Sequence, residues 1–143
     1  MRKMTQVTPY AAPVARLLLS FMFILSGLQK ITGYAGTQQY MEAMGVPGAF
    51  LPLAILTEVA GGIALLLGWQ ARIAAVLLAG FSVISGLLFH FLPSLGMEGM
   101  AAQGEMISFM KNLTIAGGML MVVAAGPGKW SLDARAGRET ATA

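Results

Sequence analysis

Four long apolar runs, set apart by short polar or glycine- and proline-bearing stretches, give this chain its pattern. The first is LLLSFMFILSGL, Leu17 to Leu28, between Arg16 and Lys30; with Pro13 able to open it, it predicts a helix over about 13–31. The second is FLPLAILTEVAGGIALLLGW, Phe50 to Trp69, with Pro52 tolerated in its first turn and Trp69 as an interfacial aromatic. Its length at about 1.5 Å per residue is roughly 30 Å, the hydrocarbon thickness of a bilayer. The third predicts a helix over 73–92, stopped by Pro93. The fourth predicts one over 107–126, closed by Gly126-Pro127-Gly128. A basic start followed by a twelve-residue apolar run also describes a signal peptide. No A-x-A-like cleavage site follows and more apolar segments do, so the first helix is read as retained.

The fold class expected is all-α: a polytopic, four-helix transmembrane bundle over 13–126. A polar segment, 1–12, precedes it, and a polar and mobile tail, 127–143, follows. Between helices one and two, GYAGTQQYMEAMGVPG (Gly33 to Gly48) mixes apolar and polar residues. It suggests a short helix lying in the interface with Met41 and Met44 turned toward the membrane; a plain loop is the alternative. Residues 93–106 read as a loop.

Composition sharpens this to a membrane protein. Of 143 residues, 57% are hydrophobic and 10% charged, against about 25% charged in a soluble domain; mean hydropathy is +0.74. The net charge of +3 is scattered and leaves no nucleic-acid footprint. Zero cysteines exclude disulfides, thiolate nucleophiles and iron–sulfur ligation. Charge also orients the bundle. Arg2, Lys3, Arg16, Arg72, Lys129, Arg135 and Arg138 fall on one side; Lys30 and Lys111 fall on the other with Glu42, Glu98 and Glu105. The positive-inside rule puts both termini in the cytoplasm.

Glu58 stands out, because the second helix would carry it near the midplane, where a charge costs about 2.5–3.5 kcal/mol. It is expected to be ion-paired, neutral and hydrogen-bonded, or set in a water-filled cavity. At 100° per residue, Arg16, Ser20, Phe23, Gly27 and Lys30 share one face of helix one. Arg72, Ala75, Ala79, Ser82, Gly86 and His90 align on helix three, Lys111, Thr114, Gly118, Val122 and Ala125 on helix four, and Gly61, Gly62 and Leu65 beside Glu58. Such small-residue stripes serve close packing, but packing does not require the ionisable groups on them. Counted from each helix centre, Lys111 and Arg16 lie roughly 8–9 Å from the level of Glu58 and His90 and Lys30 about 11–12 Å. Lys111 and Arg16 are therefore the expected partners, with Asn112 one residue along. Helices one and three also share a weak similarity 59 residues apart, Ser26-Gly27-Leu28 with Ser85-Gly86-Leu87, which a duplicated helix pair or chance would produce.

His90 is the only histidine, so bis-histidine haem ligation is excluded and no catalytic zinc set is clustered. No phosphate-cradling glycine loop and no nucleophilic triad is present. Several stretches resemble the bacterial DoxX family: SGLQKITGYAGTQQYMEAMGVPG (Ser26 to Gly48), LPLAILTEVAGG (Leu51 to Gly62), FMKNLTIAGG (Phe109 to Gly118) and GPGKWSLD (Gly126 to Asp133). The likeness is to the small inner-membrane subgroup labelled as quinol oxidase subunits, and it covers residues 13–133. It implies functional positions at Arg16, Glu58 and Lys111-Asn112 and a link to quinone chemistry and oxidative stress. Three readings follow. The chain is a metal-free membrane subunit of a redox system that meets a quinone or a redox partner protein; or a binder or exporter of a small aromatic molecule; or an assembly protein with a structural polar core.

Overall fold

The computed structural model describes residues 4–137, with side chains from residue 9 onward; Arg2, Lys3 and Arg138 lie outside the described residues. Helix α1 runs Met4–Thr32, α2 Tyr34–Ala43, α3 Leu51–Leu67, α4 Ala71–Gly86, α5 Leu92–Ser94, α6 Gly99–Ala125 and α7 Leu132–Arg135. Four segments are long and apolar enough to cross a membrane: Pro9–Thr32, Gly48–Leu67, Ala71–Ser94 and Gly99–Ala125. The fold is an all-α polytopic bundle, and α2 is the short helix expected between the first two spans. Its Met41 is buried and Met44 half-buried.

The spans are longer than the apolar runs. α1 begins well before Pro13 and carries both Pro9 and Pro13 inside it. Pro93 does not end the third span. Pro93 has no N–H, and its ring would crowd the carbonyl of Phe89 four residues back. The ladder widens into a π turn over Leu87–Phe91, with Leu92 N–H bonded to Leu87 O, and the helix continues to Ser94. The segment expected as a loop over 93–106 is mostly helix, because α6 already starts at Gly99.

α1 pairs along α3 and α4 along α6; α3 and α4 join the two pairs. α1 and α6 meet where the Leu19 side chain lies near Gly118. Phe23, Leu65, Leu78 and Met119 fill the centre, and Ala71, Ala75, Ala79 and Ala116 let the helices close around them. Most positions of the expected stripes of helices one, two and three are buried: Arg16, Ser20, Phe23, Gly27, Glu58, Gly62, Leu65, Ala75, Ala79, Ser82 and Gly86 are buried, and Lys30, Gly61, Arg72 and His90 are half-buried. Helix four is corrected in part. Of its expected stripe Val122 is buried and Gly118 faces Leu19, but Lys111, Thr114 and Ala125 are exposed, and Ala116 and Met119 are buried in their stead with Asn112 half-buried. Small and polar residues ring α6 on several sides, so no single face stood out by composition.

The segment after the fourth span, expected to be mobile, folds back as far as Asp133. Ser131 and Asp133 are buried. The Asp133 carboxylate accepts from Gln70 N–H at 3.0 Å and Ala71 N–H at 2.8 Å, satisfying free donors at the start of α4. Arg16 sits at this same end. Its guanidinium donates to Leu66 O at 3.3 Å, Lys129 O at 3.3 Å and Trp130 O at 3.1 Å. Gly68 lies between, at φ +66°, where a Cβ would run into both the Arg16 guanidinium and Ser131. Only glycine meets both demands there.

Candidate functional site

At the end opposite Arg16 and Asp133, a cavity of about 310 Å³ opens between the spans and under α2. Glu58, Lys30, His90 and Asn112 all line it, together with Ser26, Thr37, Tyr40 and Ser85. Phe23, Phe81, Phe89, Met22, Met41 and Ala54 form the apolar walls.

Glu58 is ion-paired, and its partner is Lys30. The ammonium donates to Oε1 at 3.0 Å and lies 2.9 Å from Oε2, the second contact being electrostatic rather than a directed hydrogen bond. Ser26, one turn below Lys30, ties the two together: its hydroxyl donates to Glu58 Oε1 at 3.0 Å and accepts from Lys30 Nζ at 2.7 Å. The Glu58 side chain is 4% exposed and that of Lys30 is 26%. The charge is thus neutralised at the cavity wall while the lysine keeps contact with the mouth.

The expected pairing of Glu58 with Lys111 or Arg16 is overturned by helix register. Gly27 is the point where α1 lies closest to Glu58, since a Cβ there would stand 3.3 Å from Glu58 Cβ. Gly62 likewise faces Phe23 and Ile24. Lys30 is then about three residues, roughly 4–5 Å, from the level of Glu58. Arg16 is about eleven residues, roughly 16 Å, the other way, and holds the opposite end. Counting from helix centres failed because α1 meets Glu58 at Gly27, well past the midpoint of the expected 13–31 helix. Lys111 is exposed on the outer face of α6.

His90 and Asn112 reach the cavity from the α4–α6 pair. His90 Nδ1 lies 2.7 Å from Glu105 Oε2, both side chains about 30% exposed, which leaves Nε2 available to the cavity. The π turn brings Phe89 and His90 together onto the wall. Phe89 stacks on Tyr40 with ring centroids 5.8 Å apart, fixing α2 as a roof. Burial, and next the Glu105 carboxylate, raise the Tyr40 phenol above its ordinary value, so it is a neutral hydrogen-bonding group at neutral pH. Asn112 Nδ2 donates to Ser108 O at 3.0 Å, and a Cβ on Gly86 would stand 2.9 Å from Asn112 Cβ. Among the described residues no three His, Asp or Glu groups gather as a metal site.

Sequence reasoning missed Ser26, Thr37, Tyr40, Ser85 and Glu105. Ser26 was within reach, lying four residues before Lys30 on one face, and Ser85 is its counterpart in the weak repeat. Glu105 could not be placed while its segment was read as loop.

A four-span bundle with a polar cavity under an interfacial helix defines the class of protein. The DoxX family profile matches residues 11–91, and the chain belongs to that family. It is 52% identical over 120 residues to the inner membrane protein YqjF of Escherichia coli, covering 84% of this chain and 87% of that one. It is 36% identical over 129 residues to the inner membrane protein YphA of the same organism, covering 89% and 91%. An uncharacterized membrane protein of Mycobacterium tuberculosis, Rv3486, is 31% identical over 130 residues, covering 84% and 77%. No solved structure matches significantly. The chain is a multi-pass inner-membrane protein.

Proposed function

We propose that this protein is the membrane subunit of a quinone-linked redox system and holds a quinone head group in the cavity under α2. The observation that carries the reading is the composition of that one cavity. Lys30, Ser26 and Glu58 come to it from α1 and α3, and His90 and Asn112 from α4 and α6, with phenylalanine rings between. A quinone ring is flat and presents two acceptor oxygens on opposite sides, so it needs aromatic walls and donors from two directions. Lys30 supplies one such donor, and His90, whose Nδ1–H is held by Glu105, supplies the other from Nε2–H in its doubly protonated form. Quinone reduction takes up two electrons and two protons. A redox partner protein supplies the electrons, and the His90–Glu105 pair at the mouth exchanges protons. The seven-to-two split of basic residues expected from the sequence favours cytoplasmic termini and a mouth facing outward.

Duroquinone, a tailless quinone whose ring cannot be attacked by lysine, tests this by calorimetric titration of the purified protein in detergent. One saturable site is expected, weakened at least tenfold by His90→Phe and by Lys30→Met, and unchanged by Lys111→Met. Absence of saturable binding to folded protein overturns the quinone reading and favours the exporter or structural alternatives.

A further inference from the structure

The head-group cavity is too small for a lipid. Its volume of about 310 Å³ lies at the bottom of the usual range for ligand pockets, so a ring fits and a long chain does not. Beside it, between α3 and α4, runs a groove of about 660 Å³. Groove and cavity share five wall residues: Met41, Ala54, Phe81, Ser85 and Phe89. Two hydroxyls line the groove and both are used by their own helices, Thr57 donating to Leu53 O at 2.9 Å and Ser85 to Ser82 O at 3.3 Å. The groove is therefore apolar in effect. Its rim residues Phe50, Leu53, Leu77 and Ile84 are 55–60% exposed on the faces that the bilayer surrounds, so it opens sideways to lipid.

A second apolar groove provides the contrast. It lies along α3 on the α1 side, has about 540 Å³, is lined by Ile31, Leu56 and Ile63 among others, and shares no wall residue with the polar cavity. Any acyl chain can lie in such a groove. Only the first one is joined to a polar site.

We infer that the α3–α4 groove is the seat of the isoprenoid tail of a lipid quinone, which enters the cavity sideways from the bilayer. This rests on the head-group reading above and adds to it the ligand class and the route. In a bilayer the tail gains little by leaving lipid, since lipid is as apolar as leucine. The groove therefore acts by position: it holds the tail where the head already sits between Phe81 and Phe89.

The test uses a ubiquinone analogue carrying a diazirine on its alkyl tail, added to the protein in nanodiscs, cross-linked by light and mapped by mass spectrometry. Labels are expected on residues 46–57 and 77–88, falling at least fivefold when excess duroquinone occupies the cavity. Labels along the α1-side groove should not respond to duroquinone. Thr57→Trp and Leu88→Trp, each filling the groove outside the cavity, should abolish the displaceable labels while leaving duroquinone titration unchanged. Groove labels that excess duroquinone leaves undiminished would mean an ordinary lipid chain and overturn the inference. Labels spread evenly over all lipid-facing helices would overturn it too. Because duroquinone has no tail, its binding by calorimetry stands or falls separately: binding with diffuse labels ends only the tail site, and no binding ends both.

Discussion

Lys30 and Glu58 are unequal partners, and that inequality makes a specific expectation. Glu58 is almost fully enclosed, whereas the Lys30 ammonium keeps a quarter of its side chain exposed. Lys30→Met leaves the acid buried without a counter-charge, which typically costs about 3–5 kcal/mol. Glu58→Gln leaves a base that can extend toward the mouth, so it should cost less. The double variant should recover much of the loss, and Lys111→Met, on the outer face, should stay within about 0.5 kcal/mol of the parent. Thermal unfolding in detergent, analysed as a double-mutant cycle, measures this. Zero coupling between positions 30 and 58, or coupling between 58 and 111, would contradict the pairing. The need for a partner was legible in the sequence, as an acid in mid-span; which base meets it was not. That choice depends on where α1 crosses α3, a register that no count along either helix supplies.

At the scale of elements, two glycines set the crossings that build the site. Gly27 lets α1 approach Glu58 and Val59, and Gly86 lets α4 approach Phe109 and Asn112. These are the paired Ser-Gly positions of the 59-residue similarity, and in each case the serine lines the cavity. Gly80 and Gly117 are helical too, but a Cβ on either meets nothing within 4 Å. The same substitution should therefore change sign with position. Gly27→Ala and Gly86→Ala should destabilise by about 1–3 kcal/mol through overpacking. Gly80→Ala and Gly117→Ala should stabilise by about 0.5–1 kcal/mol by stiffening the helix. Midpoints of thermal unfolding for the four single variants decide it, and a uniform sign across them would refute the assigned crossings. Helix lengths were less legible than helix positions. Pro13 and Pro93 read as boundaries, yet α1 carries one inside it and the third span passes the other through a π turn.

For the whole molecule, the two helix pairs create a bundle with different ends. One end is tied by Arg16 and Asp133 to backbone carbonyls and amides, and the other is open under α2. Among the described residues, Arg16, Arg72, Lys129 and Arg135 lie toward the tied end. A reporter active only in the cytoplasm should work when fused after Ala143, and one active only in the periplasm should not. The reverse result would turn the molecule over and put the cavity mouth on the cytoplasmic side.

By itself the sequence determined that this chain is an all-helical membrane protein of four spans, because apolar run length and charge scarcity are one-dimensional properties. It also determined which faces of the first three helices turn inward, since small and polar residues recur there at helical spacing. Only the tertiary structure decided that Lys30 and not Arg16 or Lys111 meets Glu58, and that α6 turns Asn112 in and Lys111 out. It alone joined His90 to Glu105 and packed Ser131 and Asp133 against the start of α4. Each of these is a contact between segments distant along the chain, set by how far one helix slides and turns against the next.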